Sequence, residues 1–238
     1  MRHVIDVRGL RHQYPDGTQA LNGVDFHLNA GECVAVLGGN GSGKTTFVLH
    51  LNGLLEGEGS VEVCGMRVVK DRLAEIRAKV GIVFQDSDEQ LFMPTVLEDV
   101  AFGPSNMGLT PKQAFERAQR MLERVGMDGA LHKAPYHLSA GEKRRVAIAG
   151  VLAMEPEILI LDEPTTFLDP PGQRDLVKLL ASLPQAKLLV THDTDFARAL
   201  ATRAVFFERG VVVGEGSVDA IVERFNWDSR LWVSPRSA

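Results

Sequence analysis

The sequence predicts an α/β fold: a mainly parallel core sheet covered on both faces by helices, with an antiparallel β part at the N-terminus and a helix-rich block set into the middle. Three observations predict it. Short apolar runs at 34–37, 158–161 and 188–190 have the length and unbroken hydrophobicity of strands buried on both faces. Each run is followed by a segment with helical spacing of apolar residues, the alternation that builds a parallel sheet. The first third of the chain instead holds short β-like runs separated by turn signals.

In chain order, strands are expected at 4–8 and 23–28, separated by the turn Tyr14-Pro15-Asp16-Gly17. The run at 33–37 ends in glycine and precedes a helix at about 44–52. Further strands fall at 60–64 and 80–84. The periodicity is helical between 95 and 125. Thr110, Pro111 and Gln113 open one helix there as N-cap, first residue and third residue, and Gly126 stops it. A helix at 139–154, a strand at 158–161 and a helix at 173–182 come next. The strand at 188–190 leads into a helix at 195–201, and 205–207 with 211–213 read as a hairpin around Arg209-Gly210.

The 238 residues fit a single domain, 1–238, with a helical subdomain at about 86–152 and a short C-terminal tail at 225–238 that carries Trp227 and Trp232. Two readings of that tail stand: it packs on the domain or frays, and a dimer contact is the lesser alternative. Apolar residues make up 45% and charged residues 24%, so a packed core needs no disulfide or metal staple. The net charge of −5 argues against a surface built to grip nucleic acid. No apolar stretch approaches the roughly 20 residues that span a bilayer, and Met1-Arg2-His3-Val4-Ile5-Asp6 has no signal-peptide character. Cys33 and Cys64 read as small buried hydrophobes, and the seven histidines lack zinc-ligand spacing.

Gly38-Gly39-Asn40-Gly41-Ser42-Gly43-Lys44-Thr45 lies between an expected strand and an expected helix. In that context the glycines let backbone N–H groups turn inward onto phosphate oxygens, and the helix adds its positive end. Lys44 is expected to reach the β- and γ-phosphates, and the Thr45 hydroxyl to ligate Mg²⁺. The strand at 158–161 supplies the complement. Asp162 ends it, where α/β sheets place ligands, and is expected to hold Mg²⁺ through its water shell. Glu163, one residue on, points elsewhere and suits polarisation of the attacking water. Together these predict a P-loop nucleoside-triphosphatase fold and activity.

Leu138-Ser139-Ala140-Gly141-Glu142 resembles the signature of ATP-binding-cassette (ABC) ATPases, usually written L-S-G-G-[QE]. Ser139 and Glu142 also have the spacing of a helix capping box, and the two readings are compatible. The resemblance runs over about 4–216. It implies that Ser139, Gly141 and Glu142 face the γ-phosphate of ATP held by a second protomer, in a homodimer that closes around two ATP molecules. It implies that Tyr14 stacks on adenine, with residues 38–46, Thr46 included, around the phosphates. It further implies that Gln85 contacts Mg²⁺ and water, that Asp169 belongs to the D-loop and that His192 contacts the γ-phosphate. Two residues depart from the pattern: Ala140 replaces a glycine, and Phe167 stands where a small residue is usual.

Residues 83–103, 138–149 and 191–196 are more closely similar to the energy-coupling-factor type of importer ATPase, above all those for cobalt or nickel uptake. Ser87 stands where proline is common. This resemblance implies a peripheral subunit on the cytoplasmic face of the membrane, working with a transmembrane coupling subunit and a substrate-binding membrane subunit, and no nucleic acid. The segment after Gln85 would dock the membrane partner; Leu91, Phe92 and Met93 are either its apolar contacts or subdomain core. Asp86, Asp88 and Glu89 read as a solvated acidic loop, since nothing supplies further metal ligands. A vitamin importer such as one for biotin, and a soluble cofactor-assembly ATPase, are the alternative functions.

Overall fold

The computed structural model describes residues 2–228. Its elements run β1 (His3–Gln13), β2 (Gln19–Asn29), β3 (Cys33–Gly38), α1 (Lys44–Leu51), β4 (Glu58–Val63), β5 (Met66–Arg67), α2 (Leu73–Lys79), β6 (Val80–Val83), α3 (Val96–Asn106) and α4 (Pro111–Arg124). They continue α5 (Ala140–Ala153), β7 (Ile158–Asp162), α6 (Pro170–Ala181), β8 (Ala186–Val190), α7 (Thr194–Leu200), β9 (Arg203–Glu208), β10 (Val211–Gly216) and α8 (Val218–Arg224).

Two sheets organise the molecule. The antiparallel sheet has strand order β2-β1-β4-β5, and the larger sheet has order β10-β9-β3-β8-β7-β6. In the larger sheet β9, β3, β8, β7 and β6 are parallel, and β10 closes the edge antiparallel to β9. The expected α/β architecture is therefore what forms.

Strand periodicity assigns the two faces of the larger sheet. Val34, Val36, Ile158, Ile160, Leu188 and Val190 point toward the antiparallel sheet, where Phe47, Val48 and Leu51 of α1 and Ile76 of α2 join them. Leu159, Leu161 and Leu189 point the other way, into a core shared with α3, α4, α5 and α6. Ala35, Leu37 and Phe206 pack beneath α7 and α8. Burial on both faces is what made these strands read as unbroken apolar runs, and each fully buried large side chain contributes about 1.5–3 kcal/mol.

Several boundaries differ from the sequence expectation for local reasons. β1 and β2 extend well beyond 4–8 and 23–28, carried through polar positions by register shifts between Val7 and Leu10 and between His12 and Gln13. α6 begins at Pro170 rather than 173, because Asp169 caps it and proline occupies its first position. Cys64 falls just past β4 in a left-handed conformation (φ 50°). α2 and α8 were not expected. α2 buries only Ile76 in a charge-rich segment, too little for a periodic signal, and α8 is a short helix capped by Ser217. In the tail, Phe225 stacks on Phe206 at 4.1 Å between centroids and Trp227 meets the same ring edge-on at 5.2 Å. Trp232 lies outside the described residues.

Candidate nucleotide site

β3 delivers the chain to the middle of the larger sheet, and the loop from Gly38 to Gly43 turns it into α1. Two glycines there are dictated by space and conformation. Gly38 has φ 143°, and a Cβ on it would sit 2.3 Å from the carbonyl oxygen of Phe207. Gly43 has φ 103°, and its Cβ would sit 2.6 Å from the carbonyl oxygen of Ala20. Gly43 is also the N-cap of α1, which has no side-chain cap and no acid in its first turn. The helix therefore starts with backbone N–H groups that no side chain of its own satisfies, the arrangement that binds anions.

Lys44 arches back across this loop, its Nζ donating to the carbonyls of Gly38 at 2.7 Å and Gly39 at 2.9 Å. Burial lowers the Lys44 pKa, opposed by the charges of Glu163 and Asp162. The Ser42 hydroxyl is buried with no partner among the described residues. An orphaned hydroxyl, a cation and uncapped N–H groups together fit a polyphosphate. The Thr45 hydroxyl donates to Asp162 Oδ2 at 3.4 Å. Two oxygen donors at the edge of this loop, one of them a carboxylate, are the chemistry Mg²⁺ requires. Tyr14 reaches the same helix start: its hydroxyl lies 3.0 Å from the Thr46 hydroxyl, and its ring meets His12 edge-on.

β7 and β8 bring in the acids. Asp162 is buried at the end of β7, and burial first, then the neighbouring Glu163 charge, raises its pKa. Glu163 takes a left-handed conformation (φ 44°), while its N–H donates to the Val190 carbonyl at 2.8 Å. A non-glycine residue held there is strained, as functional residues often are. Its carboxylate is mostly covered, with Oε2 at 2.8 Å from His192 Nδ1, and it also accepts the His192 backbone N–H at 3.3 Å. The His192 side chain itself is 70% exposed.

The remaining sequence-predicted residues lie in a second cluster. Ser139 is the N-cap of α5, and its hydroxyl accepts the Glu142 N–H at 3.3 Å. Glu142 Oε2 in turn accepts the Ser139 N–H and hydroxyl, both at 2.8 Å. These bonds hold the Glu142 carboxyl below its ordinary range. Ser139, Gly141 and Glu142 line a groove of about 830 Å³ together with Phe167, Leu168 and Asp169. Phe167 is 79% exposed with φ 63°, and Asp169 is occupied as the cap of α6, its Oδ1 accepting the Gly172 N–H at 2.9 Å. Among the described residues no hydrogen bond joins this cluster to the phosphate loop.

Gln85 follows β6 with an exposed side chain; its carbonyl accepts a bond from Arg144 Nη2 at 2.6 Å. Sequence reasoning missed Arg144, which is 2% exposed on α5. The signal was there: Arg144 lies on the helical stripe of Ile148, Val151 and Leu152, a charge on an apolar face. It also missed the Glu163–His192 pairing, because a left-handed turn cannot be read from a strand-end Asp-Glu. Beyond Gln85, Leu91 packs against the helical core, whereas Phe92 is 63% exposed and meets the exposed Phe102 edge-on.

A parallel sheet with a glycine-shaped anion cradle after β3 and an Asp-Glu pair after β7 defines a P-loop nucleoside triphosphatase. Within that class the family is settled by comparison: the ABC transporter family model matches residues 21–166, and the chain belongs to that family as an ATP-binding, ATP-hydrolysing subunit. An energy-coupling factor transporter ATP-binding protein, EcfA, of Methanothermobacter thermautotrophicus is 50% identical over 220 residues, covering 90% of this chain and 71% of that protein. CbiO1 of Clostridium perfringens, part of the ABC transporter complex CbiONQ, superposes with TM-score 0.84 at 37% identity over 94% of this chain and 92% of its own. The dimeric ATP-binding cassette MJ0796 bound to ADP and Pi superposes with TM-score 0.81 at 29% identity over 90% and 98%. No described helix is long and apolar enough to cross a membrane.

Proposed function

We propose that this chain is the motor of an energy-coupling-factor importer whose cargo is cobalt or nickel ions. It works as a homodimer on the cytoplasmic face of the membrane, attached to a transmembrane coupling subunit and a substrate-binding membrane subunit. The observation that carries the mechanism is the division of the site into two clusters. The cradle gathers Tyr14, residues 38–46, Asp162, Glu163 and His192, while Ser139, Gly141 and Glu142 stand apart at another helix start. A second copy brings the two together, as the dimeric form of the similar cassette MJ0796 supports. The kinship with EcfA and CbiO1 supports the importer type, and the cargo rests on the resemblance of residues 83–103, 138–149 and 191–196 to cobalt and nickel uptake ATPases.

In this reading the N–H groups of the loop and α1 bind the phosphates, and Lys44 exchanges its carbonyl partners for β- and γ-phosphate oxygens. Thr45, Asp162 and Gln85 hold Mg²⁺, which when bound neutralises phosphate charge. Glu163 takes a proton from the attacking water, and His192, already held against it, reaches the γ-phosphate. The Ser139 end of the partner completes the cradle. Losing the γ-phosphate removes the bridge between protomers, and the dimer opens. Residues 86–152 form the helical subdomain in this scheme, with Phe92 and Phe102 as apolar contacts for the coupling subunit.

Glu163→Gln is expected to lower ATP turnover by about two orders of magnitude or more, the usual worth of a positioned base. Near-normal turnover would remove Glu163 from this role. The cargo is tested by deleting the gene: cobalt or nickel uptake is expected to fall while vitamin uptake holds, and the reverse would assign a vitamin.

A further inference from the structure

Arg144 is the buried cation that the ATP-binding role leaves unexplained. Its guanidinium is sealed at 2% exposure, and no carboxylate lies within ion-pair distance among the described residues. Burial lowers its pKa, opposed only at a distance by Asp162 and Asp86. Its Nη1 donates to the Phe84 carbonyl and its Nη2 to the Gln85 carbonyl, each at 2.6 Å, and its Nε has no partner. A buried cation without a counter-ion is costly, so a fork spent on two consecutive carbonyls marks a position that must be fixed.

The segment it grips lies outside helix and strand. β6 ends at Val83, and the chain does not enter another helix until α3. Side chains do the holding in between. Gln90 accepts the Phe84 N–H and donates to the Ile82 carbonyl, both at 3.3 Å. Lys143, beside Arg144 on α5, pairs with Asp88. Asp99 accepts the N–H groups of Phe92 and Met93, each at 3.0 Å. Among the described residues only Arg144 bonds to Gln85 itself, and it does so from the helix that begins at Ser139.

We propose that Arg144 is a positioning residue: by clamping the carbonyls of Phe84 and Gln85 to α5, it sets the Gln85 side chain against the nucleotide and makes Gln85 move with the Ser139 helix start. The inference rests on the reading of Gln85 given above. A loose clamp leaves ATP binding intact, since the cradle does not touch Arg144, but it misplaces Gln85 when the site closes.

The test is a double-mutant cycle read as kcat and KM for ATP. Lysine keeps the charge but lacks the planar two-pronged fork. Arg144→Lys is expected to lower kcat about tenfold, and Arg144→Met up to about a hundredfold, the range of a small misplacement near a reacting centre. KM is expected to change less than about threefold in both. In a Gln85→Ala background, Arg144→Lys is expected to have almost no further effect on kcat. An equal loss in both backgrounds would overturn the proposal, showing that Arg144 supports the fold and not Gln85. Should Arg144→Met not fold, the Arg144→Lys arm decides alone. A slow Gln85→Ala beside a normal Arg144→Lys overturns the clamp and leaves the Gln85 reading standing. A normal Gln85→Ala overturns both.

Discussion

In the proposed scheme α1 and α5 both begin where a phosphate binds, yet their first turns are built in opposite ways. α1 opens on Gly43 with no side-chain cap, leaving its N–H groups free beside Lys44 and the orphaned Ser42 hydroxyl. α5 opens on a complete capping box, in which Ser139 and Glu142 satisfy one another. The same helix-end chemistry is thus left open in one place and closed in the other. An open end is a site ready in a single chain. A closed end is stable by itself and gives up its internal bonds only when something better arrives, which suits the proposed meeting with phosphate on dimer closure. α4 supplies the control: Thr110 and Gln113 form the same box, and neither residue lines the Ser139 groove.

The largest expected effect breaks the open end. Gly43→Ala would place a methyl 2.6 Å from the Ala20 carbonyl at φ 103°, so the loop must shift. ATP affinity measured by calorimetry is expected to fall by two orders of magnitude or more, about the loss from several charge-assisted hydrogen bonds. Near-normal affinity would show that the cradle tolerates a different loop path.

The closed end gives a smaller, two-part effect. Ser139→Ala and Thr110→Ala each remove a cap worth about 1 kcal/mol, expected as a drop in Tm of about 2–4 °C. Only Ser139→Ala is expected to slow turnover as well, by about tenfold, the worth of a hydrogen bond to a charged group. Equal turnover in the two variants would reduce Ser139 to a helix cap.

The smallest effect concerns the cost of the acid pair. Burial and Glu163 raise the Asp162 pKa, so the folded carboxyl keeps its proton to a higher pH than the unfolded one. Stability therefore falls as pH rises from the unfolded value, about 4, through the raised folded value, and the penalty persists at neutral pH. Asp162→Asn is expected to raise the Tm of the nucleotide-free protein at pH 7, with the gain vanishing below the ordinary carboxylate range, while turnover falls. An unchanged or lowered Tm at pH 7 would contradict this.

The contrast between the two helix starts also explains what could be read from the sequence. The cradle was legible because its parts are contiguous: a strand, a glycine loop that tolerates no Cβ at Gly38 and Gly43, and a helix. The capping boxes were legible for the same reason. The buried strands announced themselves because both faces are covered. What stayed hidden depends on residues far apart in the chain. Arg144 reaches back some 60 positions to Phe84 and Gln85. His192 meets Glu163 across 29, and only because Glu163 adopts a left-handed backbone. α2 hid for a different reason: a helix that buries one side chain has no period to detect.

The central claim is that the nucleotide site is completed by the Ser139 end of a second copy. Light scattering on Glu163→Gln, with and without ATP and Mg²⁺, tests it most directly, since slow hydrolysis preserves the ATP-bridged state. A doubling of mass on ATP addition is expected. Glu163→Gln combined with Ser139→Arg is expected still to bind ATP, because its own cradle is intact, yet to remain monomeric, losing only the part of the affinity that dimerisation adds. A Glu163→Gln chain that stays monomeric with ATP bound, or a double variant that dimerises as readily as the single one, would contradict the claim.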